Sequence, residues 1–180
     1  VASGYPARDQ VPQLMNPGEG LTNLSKEELL ATGCDFLMAW DSTFSDKNFN
    51  KDFCDENGIA MYFPYVCTDS ATFADLYKDY ETLGEIFKVQ DLAAEKVQAM
   101  KDTLQEVQDA LGDEAYENPV KVFAYDSGED VPFTACQGMP GDIIKKAGGI
   151  SIFDDIEAGW ATPSWEEVLP MIFSASSLLP

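Results

Sequence analysis

The side chains in this sequence that could do chemistry are carboxylates, four cysteines and a set of large aromatics; histidine is absent altogether. Without an imidazole, no Ser-His-Asp or Cys-His nucleophile can be assembled. Metal sites built on imidazole are excluded for the same reason. Cys34, Cys54, Cys67 and Cys136 lie 20, 13 and 69 residues apart, spacings that fit no zinc or redox motif. One disulfide and four free thiols are both compatible with that pattern. Asp41, Asp154 and Asp155 follow apolar runs and could be mistaken for a carboxylate metal site, but solvated strand-end charges are the simpler reading. No catalytic residue and no resident metal or cofactor are therefore expected.

Charge narrows the partners further. The formal net charge is -21, so a nucleic-acid backbone would be repelled rather than neutralised, and an anionic bilayer surface likewise. Forty-five per cent hydrophobic and 12% aromatic residues mark a chain that buries a core, not a disordered one. The longest apolar stretches, such as Gly58–Val66 and Met171–Pro180, are far shorter than the roughly 20 residues that a bilayer requires. No signal peptide is visible, so an exported protein would be met here in a mature or trimmed form.

The elements that position these residues follow a β-α-β order. Val1–Asn23, rich in Pro and Gly, reads as loop. A helix is expected over Leu24–Thr32, because Ser25 caps it, Glu28 closes a capping box, and Leu24 and Leu29 occupy staple positions. The apolar run Asp35–Trp40 predicts a strand, Lys47–Asn57 a polar helix and Ile59–Tyr65 a second strand. Two helices come next. Phe73, Leu76, Tyr80, Leu83 and Phe87 recur at three- and four-residue steps in one. In the other, Ala93, Val97, Met100, Leu104, Val107 and Leu111 do the same between Asp91 and Leu111. This second helix would be about 30 Å long and one-sided.

Beyond Gly112 the grammar restarts, with a strand over Val120–Tyr125 and a turn over Asp126–Asp130. A helix over Asp142–Ala147, a strand over Ile150–Phe153 and a helix over Ser164–Leu169 follow. Alternation of this kind implies parallel sheets covered by helices. The first motif also has an echo: Ser25-Lys26-Glu27-Glu28-Leu29-Leu30 matches Ser164-Trp165-Glu166-Glu167-Val168-Leu169, each a capping box with two successive glutamates.

The stretch from Phe73 to Glu167 resembles the periplasmic binding proteins of iron-siderophore, haem and vitamin B12 ABC transporters. The matching text is DLYKDYETLGEIFKV, AAEKVQAMKDTLQEV, KVFAY, PFTACQG, AGGISIFDD and GWATPSWEEVL, and upstream SKEELLATGCDFLMAW is similar to the family's glutamate-bearing helix and strand. The resemblance implies an α/β fold of two Rossmann-like lobes with parallel sheets, joined by a single long helix, the second lobe incomplete. Residues 1-89 would be the remainder of the N-terminal lobe, 90-112 the bridging helix and 113-180 part of the C-terminal lobe. The family's opening strand-helix-strand is missing and PMIFSASSLLP departs from its usual continuation, so the chain looks truncated at both ends.

The implied function is that of a non-enzymatic, extracytoplasmic solute-binding protein, periplasmic or lipid-anchored, delivering a ferric siderophore, haem or corrinoid to an ABC importer. The alternative is a metal-chelatase-like or nitrogenase-like protein of related architecture, which would need the histidine or cysteine cluster that the sequence lacks. A cleft for such a ligand needs large rigid side chains at the carboxyl ends of parallel strands. Trp40 and Tyr65 follow the first two strands, Phe133 and Thr134 come past the next strand and its turn, and Trp160 lies in the loop after SIFDD. Those five are the candidate ligand contacts. Trp165 is read as a packing residue, and Cys67 and Cys136 as free thiols, since a bridge between lobes would block hinge motion. Glu27 and Glu166 match the exposed glutamates with which each lobe of the family docks on arginines of the dimeric permease. The protein itself would be a monomer.

Overall fold

The structure, a computed structural model, describes residues 25–40 and 49–175, with side chains to residue 172. Leu24, Asp41, the loop expected before the first helix and the first residues of the second helix lie outside that range. By compactness the chain divides between Phe63 and Pro64, and each unit has its own core.

In the first unit, α1 (Lys26–Ala31) begins as its residues dictate. The Glu28 N–H donates to Ser25 Oγ at 3.1 Å, and the Ser25 N–H donates to Glu28 Oε2 at 2.8 Å. Two of the four donors that a helix start leaves unpaired are thereby satisfied. Strand β1 (Phe36–Met38) runs parallel to β2 (Ala60–Tyr62), Phe36 opposite Ala60. A parallel pair needs a crossover, and α2 (Lys51–Glu56), capped by the Asn50 side chain, supplies it. Leu29, Phe49, Cys54 and Ile59 form the core beneath.

The second unit opens with a 3-10 turn, Tyr65–Cys67, then α3 (Phe73–Ile86) and α4 (Gln90–Leu111), which is unbroken. The two helices pack closely at Gly84. A Cβ there would stand 2.6 Å from the Ala93 Cβ, nearer than real atoms approach. After the short α5 (Asp113–Glu117) come β3 (Val120–Val122), β4 (Ala124–Ser127) and β5 (Phe133–Ala135). Helix α6 (Gly138–Lys146), β6 (Gly149–Ser151), β7 (Trp160–Ala161) and α7 (Trp165–Ala175) complete the order. Strands β3 and β6 pair in parallel across α6, as the βαβ reading requires. The α/β class with parallel sheets expected from the sequence is thus the class observed. Under α7, Cys136, Phe153 and Val168 are buried together, with Phe123 and Trp165 packed on them.

Four departures from the sequence reading are informative. The run Val120–Tyr125 is two strands, not one, because the chain leaves β6 at Val122 and joins a different, antiparallel sheet ordered β4-β5-β7. Apolar alternation marks a strand but does not name its partner. The hairpin between β4 and β5 turns at Gly128, whose φ of +92° suits only glycine and where a Cβ would meet the Val131 carbonyl oxygen at 2.0 Å. Helix α6 starts four residues earlier than Asp142, since Pro140 falls in its first turn, where no N–H is needed. Helix α7 continues through Pro170 rather than ending at Leu169. Finally, the second strand stops at Tyr62, and Tyr65 belongs to the 3-10 turn instead.

Candidate functional site

The aromatic residues singled out by the sequence come together in part. Strand β5 pairs with β7 so that Ala135 opposes Trp160 and Thr134 opposes Ala161. Alternate residues of a strand share a face, so Phe133, Ala135 and Trp160 lie on one side. The register makes Phe133 and Trp160 diagonal neighbours, within reach for rings. Their centroids are 5.1 Å apart with the planes at 11°, a parallel stack. Trp160 keeps 41% of its surface open, so part of the pair is accessible to a solute. Trp160 was expected in a loop and Phe133 beyond a strand and its turn; both lie on paired strands, β7 and β5.

Thr134 points the other way. It is fully buried, and its hydroxyl donates to the Ala124 carbonyl at 3.0 Å. The expectation that Thr134 offers a donor to a ligand is therefore corrected: a one-residue step along a strand reverses the face, and Thr134 holds β5 to β4.

Tyr65 is exposed on the 3-10 turn, with the Lys78 ammonium 3.6 Å from its ring centroid, a cation–π contact. The turn is held by a residue that sequence reasoning missed. Asp79, 4% exposed, accepts the Tyr65 N–H at 2.8 Å and the Val66 N–H at 3.0 Å. Its signal was present in the pattern: Asp79 lies one helical step from both Leu76 and Leu83, on the apolar side of α3. The following loop is seated tightly. A Cβ on Gly138 would stand 3.1 Å from the Asp69 carbonyl oxygen, and one on Gly159 would stand 2.8 Å from Asp69 Oδ1. Asp142 of α6 accepts the Phe73 N–H at 2.8 Å, fixing the start of α3. The turn bearing Tyr65, the start of α6 and the strand bearing Trp160 are thus one packed assembly.

Trp40, in the first unit, stands two residues past β1 and is 63% exposed. The two motif glutamates have equivalent surroundings within their own units. Glu27 and Glu166 are exposed at the second position of α1 and α7, while the residue two places on, Leu29 or Val168, is buried. Glu28 and Glu167 close the boxes. The Ser25 and Ser164 backbone N–H groups, and then their hydroxyls, hold these carboxyls below the usual glutamate value.

The remaining candidates are structural. Trp165 donates its indole N–H to the Glu129 carbonyl at 2.8 Å and meets Phe123 edge-on, so it anchors α7. Asp154 pairs with Lys145 at 2.7 Å. All four cysteines are free thiols, and burial pushes the Cys54 and Cys136 thiols up, away from the reactive thiolate. Among the described residues, no group of His, Cys, Asp or Glu could hold a metal ion, and no helix is long and apolar enough to cross a membrane.

Residues 60–171 match the family model described as periplasmic binding protein. The chain belongs to that family. Among solved structures, this chain is similar to a periplasmic binding protein from Veillonella parvula at 30% identity and a TM-score of 0.74, covering 82% of this chain and 50% of that one. It is also similar to an ABC-type Fe3+-hydroxamate transport system from Saccharomonospora viridis, at 22% identity and a TM-score of 0.64, covering 83% and 50%. A third is the periplasmic vitamin B12 binding protein of Vibrio cholerae, at 22% identity and a TM-score of 0.58, covering 81% and 53%. The chain thus spans about half the length of the solved structures that it matches. No curated protein matches it.

Proposed function

We propose that this chain is the solute-holding part of an extracytoplasmic binding protein that delivers a metal complex, namely a ferric siderophore, haem or a corrinoid, to an ABC importer. The observation that carries the reading is the Phe133–Trp160 stack, its Trp160 partly exposed, on a sheet of a periplasmic-binding-protein fold. A ligand with a large planar or apolar face gains both area and ring contact on such a surface. Tyr65 and Trp40 are the further proposed contacts. The names of the solved neighbours, one for a ferric hydroxamate system and one for vitamin B12, support this ligand class.

In the same reading, residues 1-89 and 113-180 belong to two lobes and α4 is the helix that bridges them. Glu27 and Glu166 dock on arginines of the dimeric permease: each is exposed beside a box that already satisfies the local donors, so its carboxylate is available for a bidentate partner. The protein is a monomeric carrier outside the cytoplasm, free in the periplasm or lipid-anchored, and not a catalyst. The test is a visible-absorbance titration with haem, a corrinoid and a ferric siderophore. Micromolar or tighter binding of one of them without turnover supports the proposal, and failure of all three refutes it.

A further inference from the structure

Tyr65 is an exposed residue that is nevertheless held at three points. It keeps 37% of its surface open, yet its N–H, its carbonyl and its ring each have a partner. The turn Tyr65–Cys67 begins after Pro64, whose side chain makes no capping hydrogen bond. The first donors of a helical turn then lack a partner unless another part of the chain supplies one. Asp79 supplies it from the middle of α3: its Oδ1 accepts the Tyr65 N–H at 2.8 Å and its Oδ2 the Val66 N–H at 3.0 Å. The Thr68 hydroxyl donates to the Tyr65 carbonyl at 3.0 Å. Lys78, the neighbour of Asp79 in α3, sets its ammonium 3.6 Å from the ring centroid. Burying a carboxylate costs desolvation that hydrogen bonds must offset, and here both oxygens of a residue 4% exposed serve the turn that carries Tyr65.

The same clamp sets where Tyr65 stands with respect to the aromatic stack. Asp69, in the loop after the turn, lies against Gly138 and against Gly159, the residue before Trp160. The Cys136 N–H donates to the Gly159 carbonyl at 2.9 Å, which ties the end of β5 to that residue as well. The segments that carry Tyr65 and the Phe133–Trp160 pair are therefore packed on one another, with α3 behind the turn. We infer that Asp79 is a positioning residue of the solute site: buried and out of the solute's reach, it presets the Tyr65 ring through the Tyr65 backbone. A side chain that is already immobilised avoids the ordering cost that binding would otherwise incur. This rests on the reading of Tyr65 as a ligand contact and extends it.

The experiment is a double-mutant cycle on the full chain between Asp79→Asn and Tyr65→Ala. Affinity is read by quenching of tryptophan fluorescence on titration with haem, dicyanocobinamide and a ferric tris-hydroxamate in turn. Tyr65→Ala keeps the backbone N–H that Asp79 binds, so the clamp survives in that variant while the ring is gone. With Tyr65 present, Asp79→Asn should weaken the probe that binds by about three- to tenfold, the scale of ordering one side chain. In the Tyr65→Ala background the same change should alter affinity by less than about twofold, the usual error of additivity. A loss of thermal stability should appear in both backgrounds. Asp79→Glu, which keeps both acceptors on a longer arm, is read in the same cycle if Asp79→Asn does not fold. An equal loss of affinity in both backgrounds, or none in either, overturns the inference and leaves Asp79 a structural residue. Tyr65→Ala binding as tightly as the unaltered chain also overturns it, while leaving the metal-complex reading on the Phe133–Trp160 pair. Binding of no probe by the unaltered chain overturns that reading itself.

Discussion

Removing the Trp160 ring is the most direct perturbation of the proposed site. A tryptophan side chain presents about 150–250 Å² of surface, and 41% of Trp160 remains open. Roughly 60–100 Å² is therefore available to a ligand, which at about 25 cal/mol per Å² corresponds to ~1.5–2.5 kcal/mol. Trp160→Ala should thus weaken the bound complex by about 10- to 70-fold in Kd. The fold also loses the stack on Phe133, about 0.5–1.5 kcal/mol beyond its buried area, so a modest fall in Tm should accompany the change. Trp160→Phe retains a ring over Phe133 and separates the two effects: stability should largely return, and affinity only in part. Isothermal titration with the complex that binds, paired with thermal unfolding, measures both. A Trp160→Ala protein that loses stability but keeps full affinity would refute the reasoning and leave the stack a purely structural pair.

Other outcomes follow from individual groups. Asp79→Ala strands two part-buried backbone N–H donors at Tyr65 and Val66; at about 1–3 kcal/mol for each donor were it fully buried, and less where water reaches it, urea unfolding should register a loss of roughly 2 kcal/mol or more. Asp79→Asn, with one acceptor left, should lose less. Changing Glu27 and Glu166 together to alanine should leave ligand affinity intact and lower transport and permease-stimulated ATP hydrolysis; undiminished transport would exclude the docking role. The capping boxes have a definite pH sign. Glu28 and Glu167 titrate below the ordinary 4.5 when folded, because the serine N–H and hydroxyl favour the carboxylate. Each box is therefore fully stabilising above that ordinary value and is lost as pH falls through the lower folded value. Ser25→Ala and Ser164→Ala should move the two carboxyl titrations upward, observable by NMR.

What the sequence determined by itself is what short-range chemistry controls. Both S-x-E-E boxes form because donor and acceptor lie three residues apart, so no distant partner is required. Helices α3 and α4 follow their three- and four-residue apolar steps, since that period is a property of the chain alone. The absence of histidine excluded whole classes of chemistry before any coordinate was known. The site was legible only as a set of aromatics. That Phe133 faces Trp160 while its neighbour Thr134 is buried depends on the register of β5 against β7, strands of three and two residues, too short to carry a period of their own. The same holds for Asp79, a charged side chain whose burial makes sense only once the Tyr65–Cys67 turn folds back on α3. Local hydrogen bonds and periodicity are written along the chain; which face a residue shows, and which distant donor it meets, is fixed only when the chain closes on itself.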